Sequence, residues 1–391
     1  MDFTFSPEHQ ALRRLVREFA ETEVAPLAAE IDRKHQVPHE TLRKLGEIGL
    51  LGVCFPQEYG GMGAGETGYC ILMEELGRIC TSTATCVGAH IGIGAMAIHL
   101  DGNPEQKRKY LTPLARGEKI AAFGLTESNA GSDAANIRTR AVRDGDYWIL
   151  DGGKVFITNG GFADIVTVMA VTDPALGARG GVTAFIVETD WPGFKVAREE
   201  DKMGIRGTST AELVFENLRV PHENVLGKVG EGFITFMKSL DMGRLTLGAA
   251  CLGGAQAALE AAIYWARTRK QFGVELAHKQ SVQWAIANIA TEVEALRSLV
   301  YRVAWMVDTG QTGQEFSQLA AMCKMYGSEV ASRAIDLALQ IHGGLGITRD
   351  YPIERAFRDA RIAEIFEGTN EVQRIVIATN IFREYGVRIR P

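Results

Sequence analysis

The last third of the chain carries the pattern that most restricts its fold. Val282, Ala285, Ile289, Val293, Leu296, Val300, Val303 and Val307 recur at steps of three and four residues. That is the period of one helix face, sustained for about seven turns. Beyond Gly310–Gly313 the seam resumes with Phe316, Leu319, Cys323, Tyr326, Val330, Leu337 and Ile341. Neither stripe can bury itself alone, so two long antiparallel helices in a bundle are predicted.

The texture upstream is different. Residues 1–120 read as an N-terminal helical domain. Ser6 can cap a helix with Pro7 at its first position, and Leu12, Leu15, Val16 and Phe19 mark one face. A second helix follows Pro38, with Leu42, Leu45 and Ile48 inward, and Phe55–Gly61 is a loop by its Pro and Gly content. Residues 121–228 switch to short β-rich runs: Tyr147–Leu150, Val155–Thr158, Ile165–Val171, Val182–Val187 and Ala211–Val220. Asp144-Gly145, Asp151-Gly152 and Asn159-Gly160 punctuate them as tight turns. A middle antiparallel β-barrel or sandwich is expected, followed by a C-terminal four-helix bundle over 229–391.

With 391 residues, two or three domains are needed. The balance of 42 Lys+Arg against 48 Asp+Glu argues against nucleic acid or an anionic membrane as the main partner. No apolar run is expected to approach the ~20 residues of a membrane span. The start, Met1-Asp2-Phe3-Thr4-Phe5-Ser6, is acidic without an apolar signal core. It suggests a cytoplasmic protein, or a mitochondrial-matrix one already processed. Cys54, Cys70, Cys80, Cys86, Cys251 and Cys323 show no C-x-x-C spacing, so buried free thiols and no metal are expected. Neither a G-x-G-x-x-G after a strand nor a P-loop occurs.

Three polar islands remain. In Leu125-Thr126-Glu127-Ser128-Asn129-Ala130-Gly131-Ser132-Asp133, small residues would let backbone N–H groups approach an anion or a planar ring, though a plain loop explains them too. In Phe156-Ile157-Thr158-Asn159-Gly160-Gly161, a ring and a hydroxyl share one strand face, and a strand ending in a turn accounts for it equally. In Ile365–Arg374, Asn370 and Gln373 have capping-box spacing, which places Glu367 on a Gly-bearing loop before a helix N-terminus. A solvated carboxylate at the positive end of the helix dipole is the plainer reading of that residue.

Taken in order, these islands resemble the acyl-CoA dehydrogenase family from about residue 3 to residue 385. Tyr59-Gly60-Gly61-Met62-Gly63, Thr126–Asp133, Phe156–Gly160, Lys202-Met203-Gly204, Arg269–Gly273, Gln340–Gly344 and Phe366-Glu367-Gly368-Thr369 carry the likeness. It implies FAD as cofactor and Glu367 as the catalytic base. Phe123, Leu125, Thr126, Ser132, Phe156, Thr158, Thr369 and Asn370 would meet the flavin. Arg269, Phe272, Gln340, Gly343 and Gly344 resemble positions reaching the flavin of a neighbouring subunit in a homotetramer. Ser132, Asp241, Arg244 and Gly368 would meet the acyl-CoA. Two departures stand out: Ser128 replaces the usual Pro, and Gly243 stands where some relatives carry the base, leaving Glu367 as the only candidate of the two.

The reaction implied is removal of an α-proton and a β-hydride from a saturated acyl-CoA, giving the trans-2-enoyl-CoA. An electron-transferring flavoprotein is the implied acceptor. An oxygen-using acyl-CoA oxidase and a non-catalytic acyl-CoA-binding scaffold are the rivals. Thr81–Leu100, implied to line the acyl tail, holds no Lys or Arg, which disfavours a dicarboxylic substrate. Gly88, Ala89, Gly92, Gly94 and Ala95 are expected to leave room there. Short to medium monocarboxylic acyl groups are therefore expected.

Overall fold

The computed structural model of the protein describes residues 4–387 and Ile389, so Met1–Phe3 of the acidic start lie outside the described residues. The chain runs helical, then β, then helical. The first helical region comprises α1 (Pro7–Phe19), α2 (Ala28–Lys34), α3 (His39–Glu47), α4 (Gly65–Ile79), α5 (Thr81–Gly88), α6 (Met96–Asp101) and the short α7 (Pro104–Gln106) and α8 (Thr112–Ala115). Ser6 caps α1 by accepting from His9 N at 3.2 Å, with Pro7 at the first position. Leu12, Val16 and Phe19 are buried, but Leu15 is 38% exposed and falls off the expected face. In α3, Leu42 and Leu45 are buried, whereas Ile48 lies beyond the last turn and is exposed.

The middle region forms β1 (Ala121–Gly124), β2 (Arg140–Asp144), β3 (Tyr147–Thr158), β4 (Ile165–Val171), β5 (Val182–Glu188), β6 (Phe194–Glu199), β7 (Thr210–Pro221) and β8 (Val225–Leu226); α9 (Ala178–Gly181) is one distorted turn between β4 and β5. The strand order is β6-β7-β3-β2-β4-β5-β8, with β1 beside β4. Two expectations need correcting. The sheet is mixed rather than antiparallel throughout, because β1 runs parallel to β4, and β2 meets β4 in parallel at Arg140–Val171. Asp151-Gly152 is not a turn: β3 runs straight through it with a bulge. Gly152 has φ +144, and a Cβ there would come within 2.8 Å of Thr139 Cα, so a glycine marks a close approach rather than a reversal. Trp148, Leu150, Phe185, Phe215 and Val220 form a core belonging to the sheet alone.

The last region holds α10 (Gly232–Thr268), a hairpin of β9 (Lys270–Gln271) and β10 (Val274–Glu275), α11 (Gln280–Asp308), α12 (Gln314–His342), α13 (Ile353–Ala363) and α14 (Asn370–Glu384). Helices α10, α11, α12 and α14 build the bundle, α13 packs on α12, and α4 lies along α10. The predicted seam is buried at Ile289, Val293, Leu296, Val300 and Val303, while Val282 and Ala285 are half-buried. The first and last regions are stitched together. At the end of α11, Asp308 accepts from Glu66 N at 2.6 Å and Thr67 N at 3.0 Å, capping α4 from across the fold.

Thr81–Asp101 and Gly232–Thr268 do reach the length and mean hydropathy of a span, 1.3 and 1.2 over the best window, correcting the expectation that no run comes close. Their windows are 78% and 61% buried within the protein, as core helices would be. All six cysteines are free, five of them buried.

Candidate active site

A cavity of about 1290 Å³ opens where the three regions meet, and it is large enough for extended cofactor-sized ligands. The sheet contributes Phe123, Leu125, Thr126, Ser132, Phe156 and Thr158 to its wall. The bundle contributes Asp241, Gly243, Arg244, Glu367, Gly368 and Thr369.

On the sheet side, Val155 N donates to Thr126 O at 2.9 Å and ties the first island to β3. Beneath it, buried Glu127 accepts from Arg138 N at 2.6 Å, Thr139 N at 3.0 Å and Lys154 Nζ at 2.7 Å. Burial alone would raise this carboxyl, but the Lys154 ammonium and these bonds outweigh it and hold the group below its ordinary value. A register shift between Lys154 and Ile157 puts Phe156 at φ +58. The bulge turns its ring outward, 63% exposed on the cavity wall beside Thr158.

On the bundle side, Glu367 sits between α13 and α14 in left-handed backbone, φ +53, followed by Gly368 at φ +86. Its Oε2 is shut off from solvent and has no hydrogen-bond partner. Burial pushes the carboxyl up to about 7, against the opposing pull of Lys324 and Arg244. The plainer reading of Glu367 as a solvated carboxylate at the helix end is therefore incorrect: its Oε2 is enclosed and burial dominates its titration. Gly243 makes the room, since a Cβ there would lie 2.8 Å from both Glu367 Oε2 and Ile93 Cγ2. Arg244 is buried, donates to Asp241 Oδ1 at 2.7 Å and leaves its Nε unpartnered.

Helix α14 begins where expected, but its cap is Thr369, which accepts from Val372 N at 3.3 Å, so the proposed Asn370–Gln373 capping box is incorrect. Asn370 points away from the cavity and bonds Lys324 Nζ and Ser328 Oγ in the bundle interior. Arg269, Phe272, Gln340, Gly343 and Gly344 do not line this chain's cavity either. They are exposed at one end of the bundle, where Trp265 stacks on His342, and Phe272 at the hairpin tip is 91% exposed. Of the small residues expected to leave room for the acyl tail, Gly88 and Ala89 reach the cavity. Gly92 and Gly94 do not: they abut Tyr69 and Ala121, so their lack of a side chain serves packing.

The sequence missed Lys324 and gave Gln373 a capping role, whereas both hold the Glu367 loop through Gly368 O. The signal available was a cation one position from Cys323, inside an otherwise apolar seam.

The arrangement pairs an open aromatic-and-hydroxyl wall with a carboxyl whose Oε2 is unpartnered and which burial pushes up to about 7, across an apolar cavity. That suits abstraction of a weakly acidic proton beside a planar redox group. The family profiles "Acyl-CoA dehydrogenase, N-terminal domain", "middle domain" and "C-terminal domain" match residues 6–118, 122–218 and 230–382. The short-chain specific acyl-CoA dehydrogenase of Clostridium acetobutylicum is 45% identical over 383 residues, 98% of this chain and 100% of the relative. Butyryl-CoA dehydrogenase of Megasphaera elsdenii superposes with a TM-score of 0.95 at 41% identity, covering 98% of this chain and 100% of its own. A chain solved with the electron transferring flavoprotein of Acidaminococcus fermentans as its subject gives 0.96 at 44% identity, with 98% and 100% covered. The chain belongs to the acyl-CoA dehydrogenase family. It is an FAD-dependent oxidoreductase that dehydrogenates acyl-CoA.

Proposed function

We propose that Glu367 is the base that removes the α-proton of a saturated acyl-CoA thioester, with loss of the β-hydrogen as hydride giving the trans-2-enoyl-CoA. The carrying observation is Glu367 Oε2, unpartnered at the cavity beside Gly243, on a carboxyl poised at about 7. Bound FAD supplies the two-electron acceptor for the hydride. Thr126, Ser132, Phe156 and Thr158 would hold it, and the outward ring of Phe156 fits a planar partner. The apolar wall of Ile93, Leu247 and Ala250 excludes water and keeps the carboxyl basic. Glu367→Gln should retain flavin and acyl-CoA binding yet lose at least about 100-fold in turnover, and retention of more than about a tenth of the activity would overturn the assignment.

A short to medium monocarboxylic acyl group fits best. Of the cations that line the cavity, Arg78 is engaged by Glu21, Glu75 and Glu260, Arg244 by Asp241 and Lys202 by Thr208 O, while Arg355 lies among the charges of Asp32 and Asp359, so each already has an oxygen partner or an acid beside it. The names of the relatives in Clostridium and Megasphaera point the same way. We further propose a homotetramer in which Arg269, Phe272, Gln340, Gly343 and Gly344 reach a neighbouring chain's flavin, since they are exposed and outside their own cavity. A monomer with full FAD content in light scattering would contradict it. An electron-transferring flavoprotein is the proposed acceptor, and peroxide formed at the rate of acyl-CoA consumption would instead mean an oxidase.

A further inference from the structure

Among the buried ionisable groups that the mechanism does not use, Lys324 is the one bonded to the loop that carries Glu367. Lys324 on α12 is fully buried, lies in the apolar interior of the bundle and donates to Gly368 O at 2.8 Å and to Asn370 Oδ1 at 3.0 Å. A buried ammonium is costly unless it is fully engaged. Structural stability alone does not call for a charge there, because an apolar residue would pack as well in a seam built of Phe316, Leu319 and Val330. The groups it does engage all belong to the segment around the base. Gln373 Nε2 also donates to Gly368 O, at 2.9 Å, and Asn370 N closes the loop onto Glu364 O at 3.0 Å. Two donors on one carbonyl fix the Glu367–Gly368 backbone in left-handed conformations that a non-glycine residue rarely adopts.

We propose that Lys324 is a positioning residue for the reaction: through the Gly368 carbonyl its ammonium fixes the loop that carries Glu367 and sets a positive charge one residue from that carboxyl. The inference rests on the assignment of Glu367 as base. Several other groups face the same point. Arg244, Asp241 and Cys251 approach from α10, Glu364 from the end of α13, and Tyr69 from α4. Arg244 is bonded to Asp241, and Glu364 accepts from Ser332 Oγ, so each carries its own compensation. Lys324 has only neutral oxygens as partners, which leaves its charge to act on Glu367. Glu367 is driven up by burial and pulled back down by Lys324 first and Arg244 second.

Two substitutions separate the bond from the charge. Lys324→Gln keeps a donor within reach of Gly368 O but removes the charge; Lys324→Met removes both. The readout is a difference-infrared titration of the FAD-loaded enzyme without acyl-CoA, following the carboxyl band that Glu367→Gln abolishes. In both variants the midpoint should rise by about one pH unit, as expected when an adjacent opposite charge is lost. Plateau kcat should stay within about threefold of wild type in Lys324→Gln and fall about tenfold in Lys324→Met, with KM changed less than kcat. An unmoved midpoint in Lys324→Gln overturns the inference, and that variant still decides the matter if Lys324→Met does not fold. Turnover retained by Glu367→Gln would sink the base assignment itself, whereas an inactive Glu367→Gln with an unmoved Lys324→Gln midpoint sinks only the role of Lys324.

Discussion

Glu127 and Glu367 both border the same cavity, one from the sheet and one from the bundle, and their surroundings push their carboxyl groups in opposite directions. Glu127 has a partner for each oxygen: two backbone N–H groups and a buried ammonium. It stays ionised and holds the Thr126–Ser132 loop against β3. Glu367 is half-buried as a residue, but its Oε2 is shut off from solvent and has no partner, and the two cations that act on it, Lys324 and Arg244, hydrogen-bond other oxygens. Burial therefore prevails, and the carboxyl can exchange a proton near neutrality. What separates a structural carboxylate from a reactive one here is the number of donors that reach it, not depth.

The harshest way to test that contrast is to strip Glu127 of its cation. Lys154→Met should strand the carboxylate, cost about 3 kcal/mol and lower Tm by roughly 3–5 °C. FAD retention should fall with it, read by absorbance after gel filtration. Next comes the space beside Glu367. Gly243→Ala brings a Cβ to 2.8 Å from Oε2. Displacing the carboxylate should lower kcat about 10- to 100-fold with Tm near wild type, and unchanged turnover would show that the cavity tolerates a shifted base. A pH profile gives the third test. With Glu367 at about 7, kcat/KM should rise with pH through that region as the base ionises. Glu127→Gln should leave the midpoint where it is, because its own titration lies well below.

The smallest effect concerns a third glutamate. Glu66 is buried with Oε1 unpartnered, and burial with Asp308 nearby pushes it up to about 8, yet it lies away from the cavity. A raised carboxyl is thus not by itself a mark of reactivity; it must face a substrate. In the unfolded chain Glu66 ionises near 4.5, while in the fold it keeps its proton to about 8. Stability should therefore decline as pH rises across that window and level off above it. Glu66→Gln should remove the decline, gaining about 2–4 °C in Tm at pH 9 and little at pH 5, measured by calorimetry.

The order of helical, β and helical regions was legible because the spacing of apolar residues changes from three-and-four to short β-branched runs. The seam on α11 and the turn at Asn159-Gly160 were legible for the same local reason. Pairings set by distant partners were not. Nothing near Ala121–Gly124 announces that it will run parallel to β4, and Gly152 reads like a turn until Thr139 is seen against it. At the site, Glu367 could be named from its motif, but its unpaired oxygen, the room left by Gly243 and the grip of Lys324 all come from other helices. Asn370 misled because a capping side chain and a buried amide look alike in sequence.

The cap that Asp308 places on α4 has a consequence for how the chain is made. Glu66 and Asp308 are 242 positions apart, so the first turn of α4 leaves the ribosome with its N–H groups unanswered. At about 5–20 residues per second, its partner follows only about 12 to 50 s later. The N-terminal helices must therefore wait, with that end of α4 uncapped, through the synthesis of the whole sheet and half of the bundle.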